Sequence, residues 1–97
     1  MATTAHRELH APVPSDGYVQ SFARGLEVIR SFSADAPEQT LSEVAARSGL
    51  TRAGARRFLL TLQTLAYVEG DGKHYRLTPR ILDLGFAYLT SMPIWNL

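Results

Sequence analysis

A chain of 97 residues, 45% hydrophobic and without cysteine, holds one small domain, is too apolar for general disorder, and excludes disulfides, thiolate metal sites and cysteine nucleophiles. No apolar run reaches membrane-span length and the start (MATTAHRELHAPVPSDG) lacks the apolar core of a signal peptide, so a cytoplasmic protein with no membrane partner is expected. The formal net charge of +1 hides a split, because residues 52–80 carry six cations against two acids, leaving −3 for the remainder, and a phosphate backbone senses charge locally, within about 8–10 Å.

Residues 1–17 hold Pro12, Pro14 and Gly17 among polar residues without periodicity and read as a flexible N-terminal arm. His6, Arg7 and His10 could brush a phosphate there, but a plain disordered terminus is the favoured account of them. The first helix is expected from Phe22 to about Phe32 with Ser21 as its N-cap. Phe22, Leu26, Ile29 and Phe32 form its apolar stripe, with Gly25 and Val28 beside it. Asp35-Ala36-Pro37 ends the helical region and opens a loop.

Thr40 and Glu43 have the spacing of a capping box, which predicts a second helix from Leu41 to about Ser48 with Leu41, Val44 and Ala45 inward. Gly49 stands where a helix ends in a left-handed residue, Leu50 can plug the angle that follows, and Thr51 caps a third helix over Arg52 to Leu65. There Ala55, Phe58, Leu59, Leu62 and Leu65 make an inward stripe. Arg52, Ala53, Arg56 and Arg57 face out. Small residues at Ala45, Gly49 and Ala55 allow the two helices to cross closely around a sharp turn, the pattern of a helix-turn-helix in which one helix braces and the other enters a DNA groove.

Tyr67 and Val68 begin a strand, Gly70-Asp71-Gly72-Lys73 supplies a tight turn, and His74-Tyr75-Arg76-Leu77 returns. Thr78-Pro79 then caps and starts a fourth helix. Ile81, Leu82, Leu84, Phe86, Tyr88 and Leu89 make that helix apolar on more than one face, so it should bury one side on the domain and the other on a partner helix or a following domain. The ending SMPIWNL leaves Ile94 and Trp95 uncovered, which suggests a fragment of a longer protein. The fold class expected is mainly α with a small β-hairpin: a winged helix-turn-helix over residues 18–78, followed by a linker and dimerisation helix over residues 79–97.

On the segments SFARGLEVI, LSEVAARSGLTRAGARRFLLTL and YRLTPRILDLGFAYL, the chain resembles the N-terminal DNA-binding domain of IclR-family bacterial transcriptional regulators from about residue 18 to 97. Within the family it most resembles the PcaR/PcaU/PobR-like subgroup, which implies control of aromatic-acid catabolism through the β-ketoadipate and protocatechuate route, by activation. The resemblance implies double-stranded DNA as partner, a location at the nucleoid, a homodimer or higher homo-oligomer, and a small aromatic effector held by a separate C-terminal domain absent from this sequence. Gly54 departs from the threonine or serine common at its position, and Ala66 stands where a glycine usually precedes the Tyr-Val of the wing.

The roles follow residue by residue. Thr51 and the free amides at the start of the third helix suit a phosphate. Arg52, Ala53 and Arg56 are candidates for the groove floor, since arginine can donate twice to guanine and alanine can lie against a thymine methyl; surface salt bridges are the alternative for the two arginines. Gly54 lets the backbone approach DNA. By the resemblance, Arg57 clamps phosphate, and Arg24 reaches phosphate from the first helix or pairs with an acid. In the wing, alternation puts Lys73, Tyr75 and Leu77 on one face and His74 and Arg76 on the other. Lys73 is favoured for DNA, then Arg76. Two copies related by a twofold axis would read an inverted repeat, with Leu82, Phe86 and Leu89 burying area and Gly85 allowing close approach.

An enzyme is not expected. The sequence has no Gly-rich phosphate loop, no G-x-S-x-G elbow and no H-E-x-x-H, and His6, His10 and His74 lack metal-cluster spacing, so neither cofactor nor metal is expected. The rival reading is a winged-helix protein–protein interaction module, which should lack the basic face that Arg52, Arg56 and Arg57 provide.

Overall fold

The computed structural model describes residues 16–92. Most of the expected arm, and the Ile94-Trp95 ending, lie outside the described residues. Helix α1 spans Gln20–Ser31. It starts earlier than expected: Val19 is the N-cap, without a side-chain cap, and its carbonyl accepts the N–H groups of Phe22 and Ala23 at 3.1 and 3.2 Å. Ser21 therefore lies inside the first turn and does not cap it. At the other end the Ser31 carbonyl, left over by the helix, accepts from Gln39 Nε2 and Arg47 Nε, each at 3.1 Å.

The buried side of α1 also differs from the expected stripe. Val28, Ser31 and Phe32 are buried, whereas Phe22 and Leu26 are 68% and 45% exposed. Burial falls on the C-terminal half of the helix. The N-terminal half borders an open apolar groove shared with Phe58 and Leu62.

Strand β1, Glu38–Thr40, has no counterpart in the sequence reading. Its residues show no apolar alternation, and it exists because it pairs antiparallel with a strand far along the chain, Gln39 opposite Tyr75. Gln39 is 1% exposed and is tied to the end of α1, although its Oε1 finds no hydrogen-bond partner among the described residues. Helix α2, Leu41–Ser48, begins in the expected capping box: Glu43 N–H donates to Thr40 Oγ1 at 3.2 Å and Thr40 N–H donates to Glu43 Oε1 at 2.8 Å. Gly49 ends it at φ 72°, the left-handed region where a side chain is disfavoured.

Helix α3, Arg52–Thr64, is capped by Thr51, whose Oγ1 accepts Gly54 N–H at 3.0 Å. It stops one residue short of Leu65, which leaves the inward stripe and is 51% exposed. The reversal after it runs through Ala66 at φ 70°. Gln63 O accepts from Ala66 N–H and Leu62 O from Tyr67 N–H, at 2.9 and 2.8 Å, so a helix-end motif that usually carries glycine carries alanine here.

Strands β2, Val68–Gly70, and β3, His74–Leu77, form the wing, and β1 adds to its far edge in the order β1-β3-β2. The hairpin thus belongs to a three-stranded antiparallel sheet. Val28, Phe32, Val44, Ala45, Ala55, Leu59 and Val68 make the core, with Leu41, Leu50, Phe58, Leu62, Tyr75 and Leu77 packed against it. Ala45 and Ala55 are both buried at the helix crossing, as their size requires.

Thr78 caps a short 3₁₀ turn, Pro79–Ile81, and helix α4, Leu82–Thr90, follows. No residue of α4 is buried; Leu82 and Phe86 are 70% and 60% exposed. The expectation that one side would pack on the domain is therefore corrected: the 3₁₀ turn carries the helix away before its apolar faces can meet the core.

Candidate nucleic-acid interface

At 100° per residue the outward half of α3 is an ordered surface. Ala53 and Leu60 lie along its crest, Arg52 and Arg56 on one shoulder, and Arg57 on the other; all five are exposed. Two clefts flank this ridge. In the first, Arg24 of α1 faces Arg57 and Thr51, with Gly54 at its wall. In the second, Arg52 and Arg56 face Lys73 of the wing and Ser42 at the start of α2. Side chains from positions 24 to 73 thus converge on one helix.

Electrostatics separate these cations from Arg76. Among the described residues, Arg24, Arg52, Arg56, Arg57 and Lys73 make no ion pair, while Arg76 makes two, at 2.6 Å to Glu38 and 3.5 Å to Glu69. The strand register dictates this, because Glu38 and Glu69 both stand directly opposite Arg76. The Glu38 carboxylate raises the Arg76 pKa, so the guanidinium stays charged and engaged. Arg80 lies 5.2 Å from the centroid of the Tyr67 ring, and Arg47 is bonded to Ser31. Arg30, on α1 beside Glu27 and Arg47, also makes no ion pair among the described residues, so five of the eight cations without one lie on the ridge and its clefts.

The start of α3 adds oriented dipoles. Thr51 Oγ1 satisfies Gly54 N–H and Thr51 O satisfies Ala55 N–H at 2.9 Å, whereas the Arg52 and Ala53 N–H groups have no acceptor within the helix. That is an end where an anion is favoured. Gly54 has a local reason: a Cβ there would stand 3.2 Å from Thr51 Oγ1 and crowd the cap.

The wing turn is held by Asp71, whose Oδ1 accepts His74 N–H at 2.8 Å and Lys73 N–H at 3.0 Å. Those two bonds lower its pKa below the ordinary aspartate range. Gly70 lies against the Tyr75 ring, so closely that a Cβ would sit 2.9 Å from Cδ1. This geometry sends Lys73 toward α3 and leaves Arg76 between the two glutamates. Of the candidate DNA-contact residues, the structure groups Arg24, Thr51, Gly54 and Arg57 on one side of the ridge, and Arg52, Arg56 and Lys73 on the other. Ala53 stands between them and Arg76 apart. Leu60, 42% exposed and bordering both clefts, escaped the sequence reading. Its seven-residue spacing from Ala53 was the available signal. Leu82, Gly85, Phe86 and Leu89 lie on α4, away from this surface, with nothing within 4 Å of where a Gly85 Cβ would be.

No helix among the described residues is long and apolar enough to cross a membrane, and none of their His, Asp and Glu side chains form a group of three able to hold a metal ion. Residues 21–72 match the family model of the IclR helix-turn-helix domain. The chain is 42% identical over 79% of its length to a Pca regulon regulatory protein of Pseudomonas putida, and 33% identical over 90% to a p-hydroxybenzoate hydroxylase transcriptional activator of Acinetobacter baylyi. It spans 26% and 32% of those two relatives. Among solved structures, a Rhodococcus sp. RHA1 protein described as a transcriptional regulator superposes with a TM-score of 0.72 at 59% identity, over 77% of this chain and 30% of that one.

Proposed function

The chain belongs to the IclR helix-turn-helix family, whose members are transcriptional regulators and not enzymes, and on that premise we propose that it binds double-stranded DNA sequence-specifically through α3 and the wing, as a dimer on an inverted repeat. The observation that carries this reading is the gathering of Arg24, Arg52, Arg56, Arg57 and Lys73, none ion-paired among the described residues, around the exposed face of one helix. With Ala53 and Leu60 on the groove floor, Arg52 and Arg56 read base edges while Leu60 offers an apolar contact to a thymine methyl. Arg24, Thr51, Arg57 and Lys73 hold phosphates on either side and set the register. Arg76 is left out of this contact set because Glu38 and Glu69 occupy its guanidinium.

Helix α4 supports the dimer in this reading. Leu82, Phe86 and Leu89 are exposed and apolar, Gly85 permits close approach, and a second copy of the helix matches them by symmetry. The named relatives support control of aromatic-acid catabolism; a cytoplasmic location and an aromatic effector bound outside the span of this chain are part of the same proposal and rest on the family resemblance. Selection of bound duplexes from a random DNA pool tests the core of the proposal. Enrichment of an inverted repeat, lost with Leu82→Glu when sedimentation also shows loss of the dimer, is the expected result. A failure to retain any DNA at low salt would instead favour a protein-interaction module.

A further inference from the structure

Helix α4 takes its direction from a very small junction. None of its residues is buried, and it follows directly on the 3₁₀ turn Pro79–Ile81. Immediately before that turn, Thr78 makes four hydrogen bonds, two to the adjacent residues Ala66 and Tyr67 and two into the turn itself, one of them from Ile81 N–H to Thr78 O at 3.1 Å. Its hydroxyl donates to Ala66 O at 2.7 Å, at the reversal that ends α3. Its backbone N–H donates to Tyr67 O at 2.9 Å, at the root of the wing. Its Oγ1 also accepts Arg80 N–H at 3.2 Å, inside the turn that leads into α4. On that same residue, the Arg80 guanidinium sits 5.2 Å from the Tyr67 ring centroid, a second tie between the same two segments.

We infer that Thr78 and Arg80 are positioning residues that set the angle between α3 and α4 and thereby the half-site spacing that a dimer joined through α4 accepts. The inference rests on the dimeric reading given above. An unanchored helix cannot transmit a fixed distance to its partner; an α4 locked to the C-terminal end of α3 by Thr78 can. One base pair more or less between half-sites moves them about 3.4 Å and rotates them by about 34°, so a rigid junction discriminates between neighbouring spacings and a loosened one does not. A residue that merely stabilised the fold would change affinity for all spacings alike.

The test is duplex selection with the half-sites held constant and the spacer varied, on the parent chain, Thr78→Val, Thr78→Ser and Arg80→Ala. Thr78→Val keeps the shape of the side chain and removes both hydroxyl bonds. The parent and Thr78→Ser should prefer one spacer by about tenfold over its neighbours, and Thr78→Val should reduce that preference to about threefold or less with the half-site sequence unchanged. Arg80 is exposed, so Arg80→Ala keeps the question open to refutation should Thr78→Val not fold; it should broaden the spacer choice in the same direction. A folded Thr78→Val, or Arg80→Ala in its place, that keeps the parent's spacer preference overturns the inference alone. A parent chain that enriches no spacing overturns the dimeric reading, and this inference with it.

Discussion

Replacing Ala66 by glycine should stabilise the domain. Ala66 has φ 70°, and a non-glycine residue in the left-handed region costs roughly 1–2 kcal/mol. Its methyl group is exposed, so its removal forfeits no buried contact. Glycine adds unfolded-chain entropy worth about 0.4–1 kcal/mol in the opposite sense. The balance is a gain of about 0.5–1 kcal/mol, which for a domain of this size raises Tm by about 2–8 °C. Gly49 provides the mirror experiment, since it has φ 72° at the end of the preceding helix and no atom within 4 Å of where a Cβ would stand. Gly49→Ala should therefore lower stability by a similar amount, for conformational reasons alone. Both are read by thermal and urea unfolding followed by circular dichroism, with m unchanged from the parent so that compactness is not the variable. An Ala66→Gly variant whose Tm is unchanged or lower, beside a Gly49→Ala that loses stability as expected, would refute the strain assigned to Ala66.

Arg57→Ala should weaken binding to all DNA sequences alike and reduce the salt slope by about 1. Arg76→Ala should leave that slope nearly unchanged, because its charge is already engaged by Glu38 and Glu69; an equal reduction for the two would return Arg76 to the phosphate contacts. Arg56→Ala should cost about 1–3 kcal/mol on the selected site and little on random DNA, measured by competition titration. A uniform loss would place Arg56 on the backbone instead of a base. The wing turn should respond to acid. The His74 and Lys73 amides hold Asp71 protonation below the ordinary range, so the stability this adds is present above the unfolded pKa and disappears as pH falls through the folded one. Amide shifts of residues 72–74 should titrate on that acid limb and stop doing so in Asp71→Asn; a limb that persists in the variant would assign the transition to another group.

Local chemistry determined much of this protein from the sequence alone. The capping box at Thr40 and Glu43, the left-handed end at Gly49, the Thr51 cap and the outward cluster Arg52, Ala53, Arg56 and Arg57 each depend on residues within one or two turns of one another, so their spacing suffices to read them. Family membership, too, was legible in those segments. What depended on distant partners was not. Strand β1 has no pattern of its own and is created by pairing across 38 positions, between Glu38 and Arg76, and that pairing removes from the basic face a charge which strand alternation alone left available. The exposure of Phe22, Leu26 and Leu65, the place of Leu60 between two clefts, and the convergence of Arg24 with Arg57 were likewise decided by where helices cross and stop. The apolar faces of α4 were visible as a pattern, but the 3₁₀ turn that carries them off the core appears only in three dimensions, because the residue before it, Thr78, is tied by hydrogen bonds to Ala66 and Tyr67, just past the end of α3.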